Sequence, residues 1–460
     1  MLDDLRWDSE LIHRYDLAGP RYTSYPTAVQ FHTQIGAFDL LHALRDSRKA
    51  LRPLSLYVHI PFCANICYYC ACNKVITKDR GRAQSYLQRL QQEIQLVACH
   101  VDKRQVVEQL HFGGGTPTFL SHDELRQLMA GLRQHFTLLD DDSGDYGIEI
   151  DPREADWSTM GLLRELGFNR VSLGVQDLDP AVQRAINRLQ SLEETRAIVE
   201  AARTLQFRSV NIDLIYGLPK QTPDGFARTV DEIIALQPDR LSVFNYAHLP
   251  ERFMPQRRID NADLPAPPQK LQMLERTIQQ LLAAGYRYIG MDHFALPDDE
   301  LAIAQEESTL RRNFQGYTTH GHCDLIGLGV SAISQIGDLY TQNSNDLNDY
   351  QSLLASDQLA TKRGLLCNAD DRLRRAIIQQ LICHFSLNFS AVERGFGIVF
   401  QEYFHDLWPQ LTAMNKDGLI QLDATGIQIT PSGRLLVRSI CMAFDAYLNA
   451  TNRQRFSRAI

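Results

Sequence analysis

The chain has no apolar run long enough to cross a bilayer, and no basic start leading into an apolar stretch and a small-residue cleavage site. Neither membrane insertion nor export is expected, and a reducing cytoplasm fits best. Positive charge is not in excess: 47 Lys and Arg stand against 55 Asp and Glu, a formal charge of -8. That balance disfavours a nucleic-acid partner held by counterion release. The nearest basic cluster, Arg453, Arg455 and Arg458, reads as a solvated terminus. Cysteine is sparse, nine in 460 residues, and the odd count speaks against a disulfide framework. What remains is a globular chain of two or three domains with enough length for a large core, and a monomer by default.

Four of the nine cysteines fall inside ten residues: Cys63, Cys67, Cys70 and Cys72 in HIPFCANICYYCACNK. They follow directly on Leu54 to Ile60, whose alternating apolar pattern predicts a strand. Thiolates are soft ligands that favour Fe–S clusters, zinc or copper(I), and a short loop at a strand end can turn several toward one centre. Two widely separated C-x-x-C pairs, the usual zinc spacing, are missing, as is the ferredoxin run closed by Cys-Pro. Spacing alone leaves a structural zinc knot open. Cys99, Cys323, Cys367, Cys383 and Cys441 are scattered among apolar neighbours and read as buried small hydrophobes.

Helix periodicity predicts a helix over about residues 82–99, with Leu87, Leu90, Ile94 and Val97 on one face, and then a strand ending at Phe112. Further strands are expected at 146–150, 170–175, 209–215 and 240–246, and again at 286–291, separated by helix-period segments. Such alternation means a parallel sheet. Nearly every strand ends in polar or glycine-rich sequence: the cysteine loop, Gly113-Gly114-Gly115-Thr116, Glu149 with Asp151, Gln176 with Asp177, Asp213 with Tyr216, and Asn245 with His248. Ligand contacts gathered from many strand ends belong to a barrel mouth more than to the single switch point of an open sheet. The expected fold is α/β, a partial TIM-like barrel of six βα units. The glycine triplet suits close backbone approach to a ligand, with a plain tight turn as the alternative reading. Tyr57 and His59 share one face of their strand; for His59 a hydrogen-bonded core histidine stays open.

Three further regions complete the organisation. Residues 1–36 form an arm with a short helix near Ser9 to Tyr15 and a Gly19-Pro20 break. Residues 37–312 hold the barrel. From 313 to 460 the texture changes to helices near 371–385 and 398–407, a hairpin over 419–429 and a last helix over 433–448, a mainly helical, winged-helix-like domain expected to act as a lid.

The C-x-x-x-C-x-x-C loop after a strand, with Tyr69 before its third cysteine, resembles the cluster loop of the radical S-adenosylmethionine (SAM) enzymes. With GPRYTSYPTA, LYVHIPFC, CACNK, HFGGGTPT, EIDPRE, GVQD, NIDLIYGLPKQTP, FNYAHLP, GMDHFA and RNFQGYTT, nearly the whole chain is similar to the oxygen-independent coproporphyrinogen III oxidases. The resemblance implies one 4Fe-4S cluster on Cys63, Cys67 and Cys70, with the fourth iron open to SAM. It places Tyr57, Gly114 and Glu149 at that SAM, and Tyr69, Gly115, Thr116, Gln176, Arg188, Asp213, Ala247 and Ile333 at a second one. Tyr69 and Ala71 stand where the family can have phenylalanine and glycine.

The implied reaction is a hydrogen abstraction by a 5′-deoxyadenosyl radical from the β-carbon of a propionate of coproporphyrinogen III. Loss of carbon dioxide and of one electron to an acceptor leaves a vinyl group, and two rounds give protoporphyrinogen IX for haem biosynthesis. A reductant such as flavodoxin or ferredoxin, and a separate electron acceptor, are implied partners. Cys72, His59 and Tyr57 form the candidate catalytic group. Arg21, Tyr22, Lys74, Arg311 and Arg312 are candidates for the substrate's carboxylates, because guanidinium groups clamp carboxylates through paired hydrogen bonds. The alternative within the superfamily is a haem chaperone, which lacks the RYTSYP arm and the fourth cysteine that this chain has.

Overall fold

The computed structural model describes residues 5–448, so Arg453, Arg455 and Arg458 lie outside the described residues. The chain divides into two units. One comprises the described parts of Met1–Phe31, Gly285–Gly321 and Cys367–Ile460; the other comprises His32–Ala284 and His322–Leu366.

The second unit is built on six parallel strands in chain order: β1 (Leu54–Ile60), β2 (Val106–Gly114), β3 (Asp145–Ile150), β4 (Arg170–Gln176), β5 (Ser209–Tyr216) and β6 (Arg240–Asn245). Helices α1 (Gly81–Ala98), α2 (His122–His135), α3 (Trp157–Glu165), α4 (Leu192–Thr204), α5 (Pro223–Ala235) and α6 (Pro267–Ala283) follow them in turn. This is a partial (β/α)6 barrel. The sheet continues past β1, where β7 (Asp324–Leu328) pairs parallel to it and leads to the antiparallel β8 (Ile333–Ile336), β9 (Leu339–Asn343) and β10 (Thr361–Leu366).

Local sequence explains the helix starts. Ser121 and Ser191 accept from the backbone N–H three residues on, and Glu124 and Glu194 reach back to them, a reciprocal capping box. Thr222 caps α5 with Pro223 at the first helical position. The buried face of α1 is Ala83, Tyr86, Leu90, Glu93, Ile94 and Val97. Leu87 is only half-buried, and a carboxylate occupies the core instead. Burying each large apolar side chain of that face contributes about 1.5–3 kcal/mol. Glu93 is compensated by donors from the Gly329 N–H at 2.7 Å, Asn343 Nδ2 at 2.6 Å and Tyr350 Oη at 2.7 Å.

One face of the sheet is polar, which the apolar pattern of the strands conceals. Tyr57 lies opposite His111, Glu149 opposite Ser172, Ser172 opposite Asn211, and Asp213 opposite Ser242. Asn211 donates to Ser172 Oγ at 2.9 Å and to Asp213 Oδ1 at 2.8 Å, and Ser242 donates to Asn211 Oδ1 at 3.2 Å. Each buried polar group thus finds a partner on the next strand.

In the first unit the helix Ser9–Tyr15 forms with Asp8 as its cap, and Ala369–His384 forms the longest helix. The strand expected at 286–291 is present as Arg287–Gly290, but it is no further parallel member. It turns back on His293–Ala295 as an antiparallel pair. The expected hairpin forms from Ile420–Leu422 and Gly426–Ile429, and Ser386–Asn388 adds a third strand. The helix expected over 398–407 is reduced to Phe400–Tyr403 and a 3-10 turn at His405–Leu407. The helix expected over 433–448 is likewise broken, into Val437–Cys441 between two 3-10 turns. The cause is tertiary: Tyr22 Oη donates to Asp445 at 2.9 Å and the Ala446 N–H donates to Tyr25 Oη at 3.0 Å, drawing the backbone out of helical geometry. Of the five scattered cysteines, Cys367, Cys383 and Cys441 are buried, whereas Cys99 is exposed and Cys323 half-buried, contrary to the expectation for those two.

Candidate active site

The cysteine loop leaves β1 through Phe62–Cys63, which pairs with Val75–Ile76 so that the ten-residue cysteine segment closes into a compact loop. The loop is fastened from outside. Tyr68 N–H donates to Ile186 O at 2.9 Å, Asn187 Nδ2 to Ile66 O at 2.7 Å, and Gln256 Nε2 to Tyr69 O at 3.0 Å. Tyr68 and Tyr69 pack against an apolar cluster of Val182, Ile186, Leu218, Tyr246 and Ile259. The aromatic pair inside the loop is therefore an anchor to the barrel wall.

Cys63, Cys67, Cys70 and Cys72 are all free thiols. Burial pushes the Cys63 thiol up to about 11, and the neighbouring Cys70 and Cys67 add to the rise while a hydrogen bond from Thr116 opposes it. Cys70 and Cys67 thus stand close enough to Cys63 to oppose its ionisation, and three sulfurs grouped in this way are a donor set that a cationic cluster fits. Thr116 Oγ1 approaches Cys63 Sγ at 3.5 Å; Arg153 Nη2 and Arg188 Nη1 approach Cys67 Sγ at 3.8 and 3.6 Å. Cys72 shares a proton with Cys70, which holds the Cys70 thiol down and pushes that of Cys72 up. Lys74 Nζ caps the turn through Cys70 O at 3.1 Å and Cys72 O at 3.3 Å.

Asp151, after β3, sits between Arg153 at 2.6 Å and Arg188 at 2.9 Å. Burial works against its charge, but the two guanidinium groups win and hold the carboxyl below its ordinary value. Arg188 also donates to Gly174 O.

The glycine triplet is a steric requirement. Gly114 has φ +115°, and a Cβ there would lie 2.5 Å from the His59 ring; a Cβ on Gly115 would lie 2.7 Å from Phe62 O. The Gly114 N–H donates to Glu149 Oε2 at 3.0 Å, and His111 Nε2 stands 3.6 Å from Glu149 Oε1. Burial raises the Glu149 pKa, but His111 and the Gly114 N–H more than offset it, leaving the carboxyl below its usual range. Tyr57 stacks on His111 with centroids 6.1 Å apart and 11° between the planes. His59 Nε2 is 3.1 Å from Asn73 O, and a carbonyl only accepts, so Nε2 carries the proton and Nδ1 accepts from Tyr57 Oη at 3.2 Å. Burial lowers the His59 pKa and keeps the ring neutral.

Further round the strand ends, a bulge leaves Val175 unpaired and turns Gln176 to φ +71°. Burial pushes the Asp213 carboxyl up to about 6 against hydrogen bonds from Asn211 and Ser172. Ala247 O accepts from Gln256 at 3.3 Å, and Ile333 opens β8 over Gly327, where a Cβ would meet Ile333 O. Arg21, Tyr22, Arg311 and Arg312 belong to the first unit. There Arg21 pairs with Asp292 at 2.8 Å, Tyr22 is buried on Asp445, Arg311 donates to His384 at 3.2 Å, and Arg312 lies over the Tyr317 ring at 4.7 Å. Sequence reasoning had no role for Arg153, Asn187 or Gln256. Arg153 stood in the quoted EIDPRE segment, but nothing in the sequence signals that Asn187 and Gln256 reach the cysteine loop.

Comparison with known proteins agrees with this geometry. Residues 57–233 match the radical SAM superfamily, and residues 367–436 match the HemN C-terminal domain. The oxygen-independent coproporphyrinogen III oxidase of Pseudomonas aeruginosa is 77% identical, with all of both chains covered. That of Escherichia coli is 50% identical over 100% of each chain, and that of Synechocystis 40% identical over 99% of this chain and 98% of that one. The solved structure of coproporphyrinogen III oxidase from Escherichia coli, a radical SAM enzyme, superposes with a TM-score of 0.92 at 49% identity, covering 97% of this chain and 100% of that one. The strand order, the three-thiol loop and these full-length similarities lead to one conclusion: the chain belongs to the oxygen-independent coproporphyrinogen III oxidase family of radical SAM enzymes.

Proposed function

We propose that this enzyme decarboxylates two propionates of coproporphyrinogen III oxidatively to vinyl groups without dioxygen, giving protoporphyrinogen IX in haem biosynthesis. The observation that carries the reading is the end-to-end similarity to enzymes of that name, on a chain whose own loop gathers Cys63, Cys67 and Cys70. Cys63, Cys67 and Cys70 would hold a 4Fe-4S cluster, which with SAM would supply reductive sulfonium cleavage and the radical chemistry that removes a propionate hydrogen.

The chain's residues have separable tasks around that chemistry. Arg153 and Arg188 offset the negative charge on Cys67 sulfur and, through Asp151, hold each other in place. Glu149 presents an ionised carboxylate to an ammonium or ribose hydroxyl, fixed by the Gly114 N–H, and Tyr57 is fixed in turn by His59 and His111. Tyr69, Gly115, Thr116, Gln176, Arg188, Asp213, Ala247 and Ile333 are the residues assigned to a second SAM. Cys72 and His59 complete the reaction centre. Lys74, beside the loop, is one cation offered to substrate carboxylates; Arg21, Tyr22, Arg311 and Arg312 are tested by the effect of their substitution on KM. A flavodoxin- or ferredoxin-type reductant, a separate electron acceptor, a monomeric state and a cytoplasmic location complete the reading. Among the described residues no helix is long and apolar enough to cross a membrane.

The test is an anaerobic assay of reconstituted protein with SAM, a reductant and coproporphyrinogen III, following 5′-deoxyadenosine and protoporphyrin, with Cys67→Ser as control. Both products should form and both should vanish in the control. Deoxyadenosine without a decarboxylated porphyrin would mean a different substrate; neither product, with haem tightly held, would point to the chaperone.

A further inference from the structure

The second unit carries another group of metal-type donors, at the opposite ends of the strands from the cysteine loop. The register between β1 and β2 shifts at their start: Leu54 pairs with Val107 and Ser55 with Gln109, leaving Glu108 as the extra residue of a bulge. A bulge re-aims the side chain it carries. On the other flank of β1, Cys323 immediately precedes β7, whose first residue, Asp324, pairs with Leu54. Glu108 and Cys323 thus face the same point from the two strands that sandwich the start of β1. His322 joins them. Its Nε2 is 2.7 Å from Glu108 Oε2, and Cys323 Sγ lies 3.6 Å from the same oxygen. One donor atom from each of the three residues lies within 4.8 Å of the others.

We propose that Glu108, His322 and Cys323 form a zinc-binding site, distinct from the cluster loop. A thiolate, an imidazole and a carboxylate are the three ligand types that zinc takes, and a tetrahedral ion needs one more. A water molecule completes the fourth position. Binding balances simply: the Cys323 thiol releases its proton, while the His322 ring proton moves from Nε2 to Nδ1 so that Nε2 can bind the metal. The ion ties β7 to β2 across β1. Located at the amino ends of the strands, it braces the barrel without touching the reaction.

The experiment uses the cluster-loaded enzyme, so that the cysteine loop is not available to added metal. Holoenzyme, washed anaerobically with a chelator and titrated with zinc, should retain one zinc per chain beyond its cluster iron. Cys323→Ser and His322→Ala should each weaken zinc by at least about tenfold, while iron content and 5′-deoxyadenosine formation stay unchanged. Cobalt(II) in place of zinc should give a thiolate charge-transfer band in the parent enzyme and none in Cys323→Ser. Zinc should also raise the melting temperature of the parent but not of the variants. Failure of the parent to retain zinc, equal retention by all three proteins, or a cobalt spectrum without thiolate character would each overturn the proposal. The parent's stoichiometry and cobalt spectrum decide the matter even if a variant folds poorly.

Discussion

Glu149 accepts the backbone N–H of Gly114 at 3.0 Å, so the carboxylate at the end of β3 holds the glycine turn at the end of β2 in its left-handed conformation. The contact joins two sequence-distant features into one surface, the one proposed to receive SAM.

Gly114→Ala is the sharpest test of that surface. The new Cβ would meet the His59 ring at 2.5 Å on a backbone of φ +115°. Strain of about 1–3 kcal/mol and displacement of His59 should lower SAM affinity more than tenfold. Equilibrium dialysis of the cluster-loaded variant measures this, and parent-like affinity would contradict the steric account.

Glu149→Gln keeps an acceptor for the Gly114 N–H but removes the charge. Loss of a charge-assisted hydrogen bond of about 1.5–3 kcal/mol predicts roughly 10- to 150-fold weaker SAM binding. Because the folded-state pKa is depressed, the ionised group's contribution to stability is complete above the unfolded value and disappears as pH falls through the folded one. Near neutrality the parent's affinity should therefore be insensitive to Glu149 ionisation; a parent–variant gap that varied with pH there would refute this.

Asp213 behaves in the opposite sense. Its carboxyl is pushed from 3.8 up to about 6, chiefly by burial, so between those values the folded protein holds a proton that the unfolded chain has released. Stability should fall as pH rises through that window. Asp213→Asn should abolish this part of the slope and melt a few degrees higher at neutral pH, with the two proteins converging in acid. Parallel melting curves across the window would sink the assignment.

Arg153 reaches Cys67 Sγ at 3.8 Å. Donors and positive charge at a cluster sulfur favour the reduced state, so Arg153→Met should shift the cluster's reduction potential to more negative values with iron content unchanged. Potentiometry followed by electron paramagnetic resonance reads the shift; an unmoved or more positive potential would remove Arg153 from this role.

Glu93 tests the fold apart from the chemistry. Glu93→Leu orphans the donors of Gly329, Asn343 and Tyr350 in the core, at about 1–3 kcal/mol for each buried group left unpaired. Denaturant unfolding should show a large loss, with Glu93→Gln much milder because its carbonyl still accepts.

Much was legible in the residues themselves. The strand at Leu54–Ile60 and the helix at Ser9–Tyr15 stand where their patterns place them, because hydrophobic period and capping are local properties. The thiol cluster needed no fold to be seen, since its ligands lie within ten residues. Tertiary structure alone decided the rest. Asn187 and Gln256 reach the cysteine loop from 121 and 187 residues away, respectively, across elements with no shared motif. The last helix breaks because Tyr22 and Tyr25 capture Asp445 and Ala446, a competition between helical and long-range hydrogen bonds that propensity does not contain. Cys323 read as a buried hydrophobe until strand pairing set it beside Glu108. Local sequence determines which elements can form and which donors exist; only the register of the sheet determines which donors meet.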